Sequence, residues 1–233
     1  MRSIAHILTT ELFGESIALP DLPMRKDLSG VGMSCWEGYA TPLAERLNFT
    51  NTFYHQEPRL DITDISDANV GQYDFITSTD VFEHVAPPVR RAFVNARRLL
   101  KVGGVFVFSV PYDRPGKWWA QTIERFPDLH EYEVVHSDGH SYLKNTTRRG
   151  KVQVFNELVF HGGEGATLEM RLFSERSLLR EFLKAGFNRI FIYRQPYLPY
   201  GLYWKNDKSI SMAARVVLDS NTRKPLRPAI TFI

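Results

Sequence analysis

The chain has 233 residues, of which 43% are hydrophobic and 24% are charged, and its formal net charge at pH 7 is +3. This length is sufficient for the core of one globular domain, and the charge is too nearly balanced to predict nucleic-acid binding by itself. No stretch is long and apolar enough to cross a bilayer, the N-terminus lacks the pattern of a signal peptide, and Cys35 is the only cysteine. We therefore expect a cytoplasmic protein without intrachain disulfides.

The N-terminal stretch predicts a helix followed by a loop. Apolar residues stand at helical spacing over residues 3–13, which favours an amphipathic helix packed on the body of the protein or on a partner. Two prolines interrupt residues 15–27, so we expect a connecting loop there. Residues 1–27 are accordingly treated as an N-terminal segment that precedes the main domain.

Residues 28–34 read LSGVGMS and contain two glycines, Gly30 and Gly32. A glycine pair at this spacing is weak evidence by itself, because it occurs more often in a plain turn than in a ligand-binding loop. Ser34 and Glu37 have the spacing of a capping box, in which a hydroxyl and a carboxylate bond the first amides of a helix. We therefore expect a helix to begin directly after this stretch.

The next segment predicts two short strands with no helix between them. Residues 50–55 have strand propensity, and residues 60–62 are a plausible end of a further strand. Only four residues separate the two, too few for a helix. Glu57 and Asp61 stand in this region, and one interpretation of both is a turn carboxylate in solvent, which suits Glu57 better than Asp61.

The strongest pattern lies in residues 72–112, QYDFITSTDVFEHVAPPVRRAFVNARRLLKVGGVFVFSVPY. Residues 73–78 predict a buried strand, residues 87–100 an amphipathic helix, and residues 105–110 a second strand that is apolar on both faces. Two glycines at 103–104 end the helix. Strand, helix and strand in this order predict a βαβ unit and hence a parallel sheet.

An irregular region follows at residues 113–166. Strand patterns at 131–135 and 151–160 flank a basic turn, and the region's aromatic residues fit a core and a ligand pocket equally well. Three glycines within 162–165 predict a mobile loop that could cover a ligand, or simply a wide hairpin turn.

The last part of the chain predicts a strand, a helix and a strand. Residues 167–173 alternate like a strand, Ser174 caps a helix over 175–185, and residues 188–194 form a strand. Residues 195–233 then carry several aromatic residues and continue as a polar, basic tail, for which we expect partial disorder.

Three stretches resemble the class I methyltransferases that depend on S-adenosyl-L-methionine (SAM). YDFITSTDVFEHV and RRLLKVGGVFVFSVPY are similar to the family's middle strand, its Leu-Glu-His-Val-like turn and its RxLKPGG loop, with Val102 in place of the proline. RLFSERSLLREFLKAGF resembles the family's last helix. The resemblance covers roughly residues 28–112 and 167–194.

The resemblance implies an α/β fold, namely a Rossmann-like, mostly parallel sheet with helices on both faces and a terminal antiparallel strand. The methyltransferase domain would span residues 28–200 with an insertion around 113–166, and residues 201–233 would be a C-terminal extension. SAM is the implied cofactor, although the family's glycine-rich loop is incomplete here. The implied cofactor-binding residues are Gly30, Gly32, Glu57, Asp61, Ile62, Ser78 and Thr79.

The resemblance also implies that Asp80, Glu83 and His84 are the catalytic residues. Their D-x-x-E-H spacing resembles the E-x-x-E-H run of two metal-dependent O-methyltransferase groups, those of ubiquinone synthesis and those that modify the 2′-hydroxyl of small RNAs. In those groups the carboxylates and the imidazole hold a divalent cation that binds the acceptor oxygens. Oxygen ligands with one imidazole suit Mg²⁺ or Mn²⁺, and Glu169 or His161 could add a fourth ligand. A metal-free role beside the acceptor and a purely structural role stay open.

The resulting hypothesis is a SAM-dependent methyltransferase that acts on a small-molecule or glycan-like acceptor, most simply on a hydroxyl. The alternative is a non-catalytic binding or scaffold protein that retains the fold, which the incomplete glycine motif motivates. A nicotinamide-dependent oxidoreductase is disfavoured because Gly-x-Gly-x-x-Gly is missing. We expect no membrane and no nucleic-acid partner, and a homo-oligomer is one option.

Overall fold

The computed structural model describes residues 2–113, 121–137, 140–161, 167–203 and 209–233. Its helices are α1 (Arg2–Phe13), α2 (Glu37–Arg46), α3 (Arg90–Leu99) and α4 (Glu175–Lys184). Its strands are β1 (Arg25–Met33), β2 (Leu47–Thr52), β3 (Tyr73–Thr79), β4 (Leu100–Ser109), β5 (Tyr112–Asp113), β6 (Ile123–Glu124), β7 (Glu131–Ser137), β8 (His140–Thr146), β9 (Val152–Phe155), β10 (Phe160–His161), β11 (Thr167–Leu168), β12 (Arg171–Ser174), β13 (Arg189–Ile192), β14 (Met212–Arg215) and β15 (Ala229–Phe232). No helix in this part of the chain is long and apolar enough to span a membrane.

The centre of the fold is a seven-stranded sheet with the order β15-β13-β14-β4-β3-β1-β2. Strands β1 to β4 run parallel, and β14 is antiparallel to both of its neighbours. The strand order reverses between β1 and β3, and in open α/β sheets ligands bind beside the carboxyl ends of the strands at such a point. The predicted Rossmann-like sheet with a terminal antiparallel strand is confirmed.

Two helical layers cover this sheet because its strands alternate inward and outward side chains. On β4, Val105 and Val107 face a core with α1 and α2. Phe106 and Phe108 face the opposite core, where α3 and α4 pack. Each strand residue thus belongs to one of two apolar layers, as the continuous apolar run of β4 predicts.

The C-terminal stretch differs from the prediction. Residues 195–233 were expected to form a polar tail and residues 201–233 an extension, but β14 lies between β4 and β13 with Met212, Ala213 and Ala214 buried. β15 then forms the edge beside β13. The four-residue strand is too short for its pattern to stand out, and its burial depends on distant partners. The prediction of a disordered tail is therefore wrong for these strands.

The region between β1 and β3 also differs in detail. α2 begins at Glu37 after an N-cap at Trp36 that makes no side-chain bond, and Ser34 has φ of 50°, so the predicted capping box does not form. β2 begins at Leu47, three residues before the predicted strand, and no strand forms at residues 60–62. β2 is therefore the edge of the sheet.

The insertion forms a separate small layer. β7, β8 and β9 make an antiparallel meander, which packs Leu143 against Phe126, Leu168 and Met170. The sequence predicted β7 and β9 but missed β8, because HSYLKNT is mostly polar and half-exposed. Residues 162–166, which carry the predicted mobile loop, lie outside the described residues.

Candidate active site

The loop between β1 and α2 lies at the point where the strand order reverses. The amide of Asn51 holds this loop, since the Cys35 N–H donates to Asn51 Oδ1 at 2.9 Å and Asn51 Nδ2 donates to the Cys35 carbonyl at 2.9 Å. The Ser34 N–H donates to the Thr52 carbonyl at 2.7 Å. Three hydrogen bonds from two residues at the end of β2 thus fix the loop, and nothing in the sequence pattern singled out Asn51.

Gly30 and Gly32 do not lie in that loop. Both are inside β1, so they do not form the glycine-rich loop that the family resemblance implies at this position. A Cβ on Gly30 would stand 2.1 Å from Cζ of Phe75, and one on Gly32 would stand 2.5 Å from Cζ of Phe49. The two aromatic rings stack on each other at a centroid distance of 5.8 Å. The glycines leave room for these rings on one face of β1.

Ser78 and Thr79 end β3 at the carboxyl edge of the sheet. Ser78 is fully buried, and its hydroxyl has no hydrogen-bond partner among the described residues. Thr79 Oγ1 lies 3.5 Å from the hydroxyl of the buried Tyr39. Both residues therefore stand where the topology places a cofactor, and Ser78 retains a free hydroxyl.

Glu57, Asp61 and Ile62 follow β2 at the same edge. Glu57 is exposed and accepts from the Arg59 N–H at 2.9 Å. Asp61 Oδ1 accepts from the N–H and the hydroxyl of Thr63, at 2.8 and 2.7 Å. Ile62 is buried. The two carboxylates stabilise local turns. In each of them these hydrogen bonds use one oxygen, and the other oxygen takes no part in the turn.

The most unusual group of the site is the carboxylate of Glu83. It lies in a 3₁₀ turn, Phe82–His84, directly after β3. Glu83 is fully buried, and neither of its carboxylate oxygens has a hydrogen-bond partner in the described part of the chain. Burial penalises the charged form and raises the pKa of the Glu83 carboxyl to about 8.

Two imidazoles face this carboxylate. His84 Nε2 and His161 Nδ1 each lie 3.7 Å from Glu83 Oε1, and the two rings are perpendicular at 4.7 Å between centroids. One ligand atom from each of the three residues lies within 4.8 Å of the other two. Burial lowers the pKa of the His84 imidazole. This set of two imidazoles and one carboxylate is able to hold a divalent cation, a proton or an acceptor hydroxyl.

Asp80 lies beside this group without belonging to it. Its φ of 54° falls in the left-handed region, which Asp tolerates better than most residues, and the chain turns there from β3 toward the 3₁₀ turn. Burial raises the pKa of the Asp80 carboxyl, whose charge interacts with both His84 and His161. Of the predicted set D-x-x-E-H, the structure brings Glu83 and His84 together. Asp80 lies nearby but is not part of the group formed by Glu83, His84 and His161.

The chain segment before α4 holds the turn in place. Arg171, which is fully buried, donates through Nη1 to the carbonyls of Phe82 and Val85 at 3.0 and 2.5 Å. The Met170 N–H donates to the Glu83 carbonyl at 2.8 Å. Sequence reasoning missed Arg171, although a cation at an inward position of the alternating stretch TLEMRLF was a usable signal.

Comparison with known families identifies the family to which the chain belongs. A family model described as a methyltransferase domain matches residues 23–190, which is more than half of the chain. The chain belongs to this methyltransferase family. The class I, SAM-dependent resemblance seen in the sequence is thereby confirmed. No curated protein matches the chain.

Several solved structures are similar to this methyltransferase at low identity. A SAM-dependent methyltransferase from Clostridium acetobutylicum matches with 12% identity and a TM-score of 0.46, over 91% of this chain and 97% of that one. The sugar N-methyltransferase KedS8 from Streptoalloteichus matches with 15% identity and a TM-score of 0.48, over 92% and 86%. A 1,6-didemethyltoxoflavin N1-methyltransferase from Burkholderia thailandensis matches with 15% identity and a TM-score of 0.48, over 92% and 78%.

Proposed function

We propose that this methyltransferase transfers the methyl group of SAM to a hydroxyl of a small-molecule or glycan-like acceptor. The observation that supports a hydroxyl is the fully buried carboxylate of Glu83, which has no hydrogen-bond partner among the described residues and has one nitrogen of His84 and one of His161 each 3.7 Å from its Oε1. A hydroxyl must lose its proton as it attacks, and a positioned carboxylate or imidazole accelerates that step typically 10²–10⁴-fold.

The reaction is an in-line displacement in which alignment of the two substrates matters most. The acceptor oxygen forms a bond to the methyl carbon, the bond between that carbon and sulfur breaks, and S-adenosylhomocysteine leaves. The acceptor's proton passes to the Glu83–His84–His161 group. We place the methionine part of SAM beside Ser78 and Thr79, because they end β3 where the strand order reverses.

The nucleoside part of SAM is assigned to the segment after β2. Ile62 offers a buried apolar contact for the adenine, and the unoccupied oxygens of Glu57 and Asp61 can accept from the ribose hydroxyls. Gly30 and Gly32 support this site indirectly, through the packing beneath β1. Asp80 supplies negative charge between the cofactor edge and the catalytic group.

In a second mechanism, the same residues would bind a divalent cation that activates the acceptor hydroxyl. Glu83, His84 and His161 offer three donor atoms within 4.8 Å of one another, and imidazole with carboxylate suits divalent transition metals such as Mn²⁺. A cation held there would lower the pKa of an acceptor hydroxyl. The three residues fit such an ion because the Glu83 oxygens lack any other partner among the described residues.

A binding protein that retains the fold is the second candidate function. Its supporting observation is that Gly30 and Gly32 lie inside β1 instead of forming a cofactor loop. Such a protein would bind a ligand or partner at the carboxyl edge without transferring a methyl group, and fold alone does not separate the two.

The test is a turnover assay on chelator-treated protein with SAM and a panel of phenols, catechols and monosaccharides. We expect S-adenosylhomocysteine to form with at least one hydroxyl acceptor, and Glu83→Gln and His84→Ala to lower kcat roughly 10²–10⁴-fold. Glu133→Gln, at an exposed site on β7, is the matched control. Full turnover after chelation would exclude the cation, and unchanged turnover in both variants would exclude the catalytic role. Failure to bind SAM would favour the binding protein.

A further inference from the structure

His161 lies between two carboxylates that contact its two ring nitrogens. Its Nε2 is 2.8 Å from Oε2 of Glu169, a hydrogen-bond distance, while its Nδ1 is 3.7 Å from Oε1 of Glu83. A neutral imidazole carries one proton, and the hydrogen bond made by one nitrogen decides which nitrogen keeps a lone pair. The contact with Glu169 therefore determines whether His161 Nδ1 faces Glu83 with a lone pair or with a proton.

Glu169 is itself held in a fixed orientation. It is 5% exposed, and its Oε1 accepts from Nε of Arg125 at 2.6 Å and also contacts Arg125 Nη2. Its backbone N–H donates to the Val159 carbonyl at 2.8 Å. Because Arg125 occupies one carboxylate oxygen, the other is directed at His161, and an ionised carboxylate oxygen only accepts hydrogen bonds.

We propose that Glu169 is a positioning residue which, held by Arg125, fixes His161 with its proton on Nε2 and points the bare Nδ1 at Glu83. This deepens the proposed function, on which it rests, because the lone pair of Nδ1 is what His161 offers to a proton or a cation. Carboxylates commonly orient a ligating histidine in this way.

The second imidazole is arranged in the same manner. His84 Nδ1 lies 2.8 Å from the carbonyl of Leu168, which has no proton to give, so Nδ1 carries the proton and Nε2 is bare. That bare nitrogen is 3.7 Å from the same Glu83 Oε1. Leu168 and Glu169 are consecutive, so one short segment of chain orients both rings. Two nitrogen lone pairs consequently converge on the carboxyl group of Glu83.

The decisive variant is Glu169→Gln, which is nearly isosteric. Arg125 still requires an acceptor, so the amide oxygen of the new side chain should face Arg125 and its NH₂ should donate to His161 Nε2. His161 must then carry its proton on Nδ1, toward Glu83. The substitution is expected to invert the tautomer without a change of shape.

The measurement is ¹⁵N NMR of histidine-labelled protein, treated with chelator and free of SAM, with His161 signals assigned through His161→Asn. We expect Nε2–H for His161 and Nδ1–H for His84 in the unaltered protein, and Nδ1–H for His161 in Glu169→Gln with His84 unchanged. The control Glu133→Gln should leave both rings as they are. The proposal is overturned if His161 carries its proton on Nδ1 in the unaltered protein, or keeps it on Nε2 in Glu169→Gln.

A second readout uses Mn²⁺ as the probe in calorimetric titrations. If the unaltered protein binds Mn²⁺, Glu169→Gln should weaken that binding about 10–100-fold, and equal affinities would contradict a positioning role. If the unaltered protein binds no Mn²⁺, the cation alternative of the proposed function fails, while the tautomer measurement still decides the role of Glu169.

Discussion

At the scale of single residues, the glycines of β1 are determined by their neighbours on the adjoining strands. Gly30 pairs with Phe49 of β2 and with Phe75 of β3, and the two rings stack over the strand. A side chain at Gly30 would occupy the position of the Phe75 ring. In the sequence, Gly30 and Gly32 resemble part of a ligand-binding motif. In the fold, they are required because the Phe75 and Phe49 rings fill the space that their side chains would occupy.

Gly30→Ala should lower the free energy of unfolding by about 1–3 kcal/mol, the usual cost of overpacking a core. Gly30→Ala should also weaken the binding of S-adenosylhomocysteine. Adding Phe75→Leu should recover part of the lost stability and part of the lost binding. Urea unfolding and calorimetry on both proteins, with Phe75→Leu alone as the control, measure this. A double variant that regains stability but not ligand binding would show that the Gly30 backbone contacts the cofactor.

At the scale of elements, Asp74 joins three strands at the amino end of the sheet. Its Oδ2 accepts from the Ser29 N–H at 2.8 Å and from Lys101 Nζ at 2.7 Å. Burial alone would raise the pKa of this carboxyl, but the bonds from Lys101 and Ser29 outweigh it and lower the pKa below its ordinary value. The ionised carboxylate thus stabilises the contacts of β3 with β1 and β4.

Asp74→Asn should lower the free energy of unfolding at pH 7 by about 1–2 kcal/mol, as expected for hydrogen bonds to a charged group. Because folding lowers the pKa of this carboxyl, the contribution is complete well above the pKa of the unfolded state and is lost as the pH falls through the folded-state value. Denaturant unfolding at pH 7 and pH 3 checks it, with Asp21→Asn at an exposed site as control. A difference that stays constant down to pH 3 would contradict the assignment.

The position of β14 gives a second prediction at this scale. Deleting residues 201–233 removes a strand from the interior of the sheet and exposes Val107 and Ile190, which are fully buried. We expect the shortened chain to lose cooperative unfolding, as followed by circular dichroism during heating. A shortened chain that still unfolds cooperatively would mean that β14 is dispensable.

Elements whose apolar pattern extends over many residues could be predicted from the sequence, whereas elements of only a few residues could not. α3 and α4 each carry an apolar face over ten residues, and Ser174 caps α4 by accepting from the Ser177 N–H as expected. β14 has four residues, and one of its two partners, β4, lies about a hundred residues away in the sequence. The capping box failed because Ser34 is used to turn the chain out of β1.

At the scale of the whole molecule, the sheet and the insertion contribute different halves of the site. Glu83 and His84 follow β3 and could be found from their spacing after a recognisable strand. His161 comes from the insertion and Glu169 from the segment that follows it, and both were candidates only through their place before the last helix. Arg171 and Asn51 act through backbone carbonyls and amides, which leave no motif. The convergence of these groups depends on tertiary contacts.

The binding of S-adenosylhomocysteine tests the central claim most directly. If the carboxyl edge of β1 and β3 is a SAM site, the product at a hundred times its dissociation constant should raise the free energy of unfolding by about 2.7 kcal/mol. SAM should act similarly, and NAD at the same concentration should have no effect. Folded protein whose unfolding free energy is unchanged by SAM and by S-adenosylhomocysteine would contradict the account.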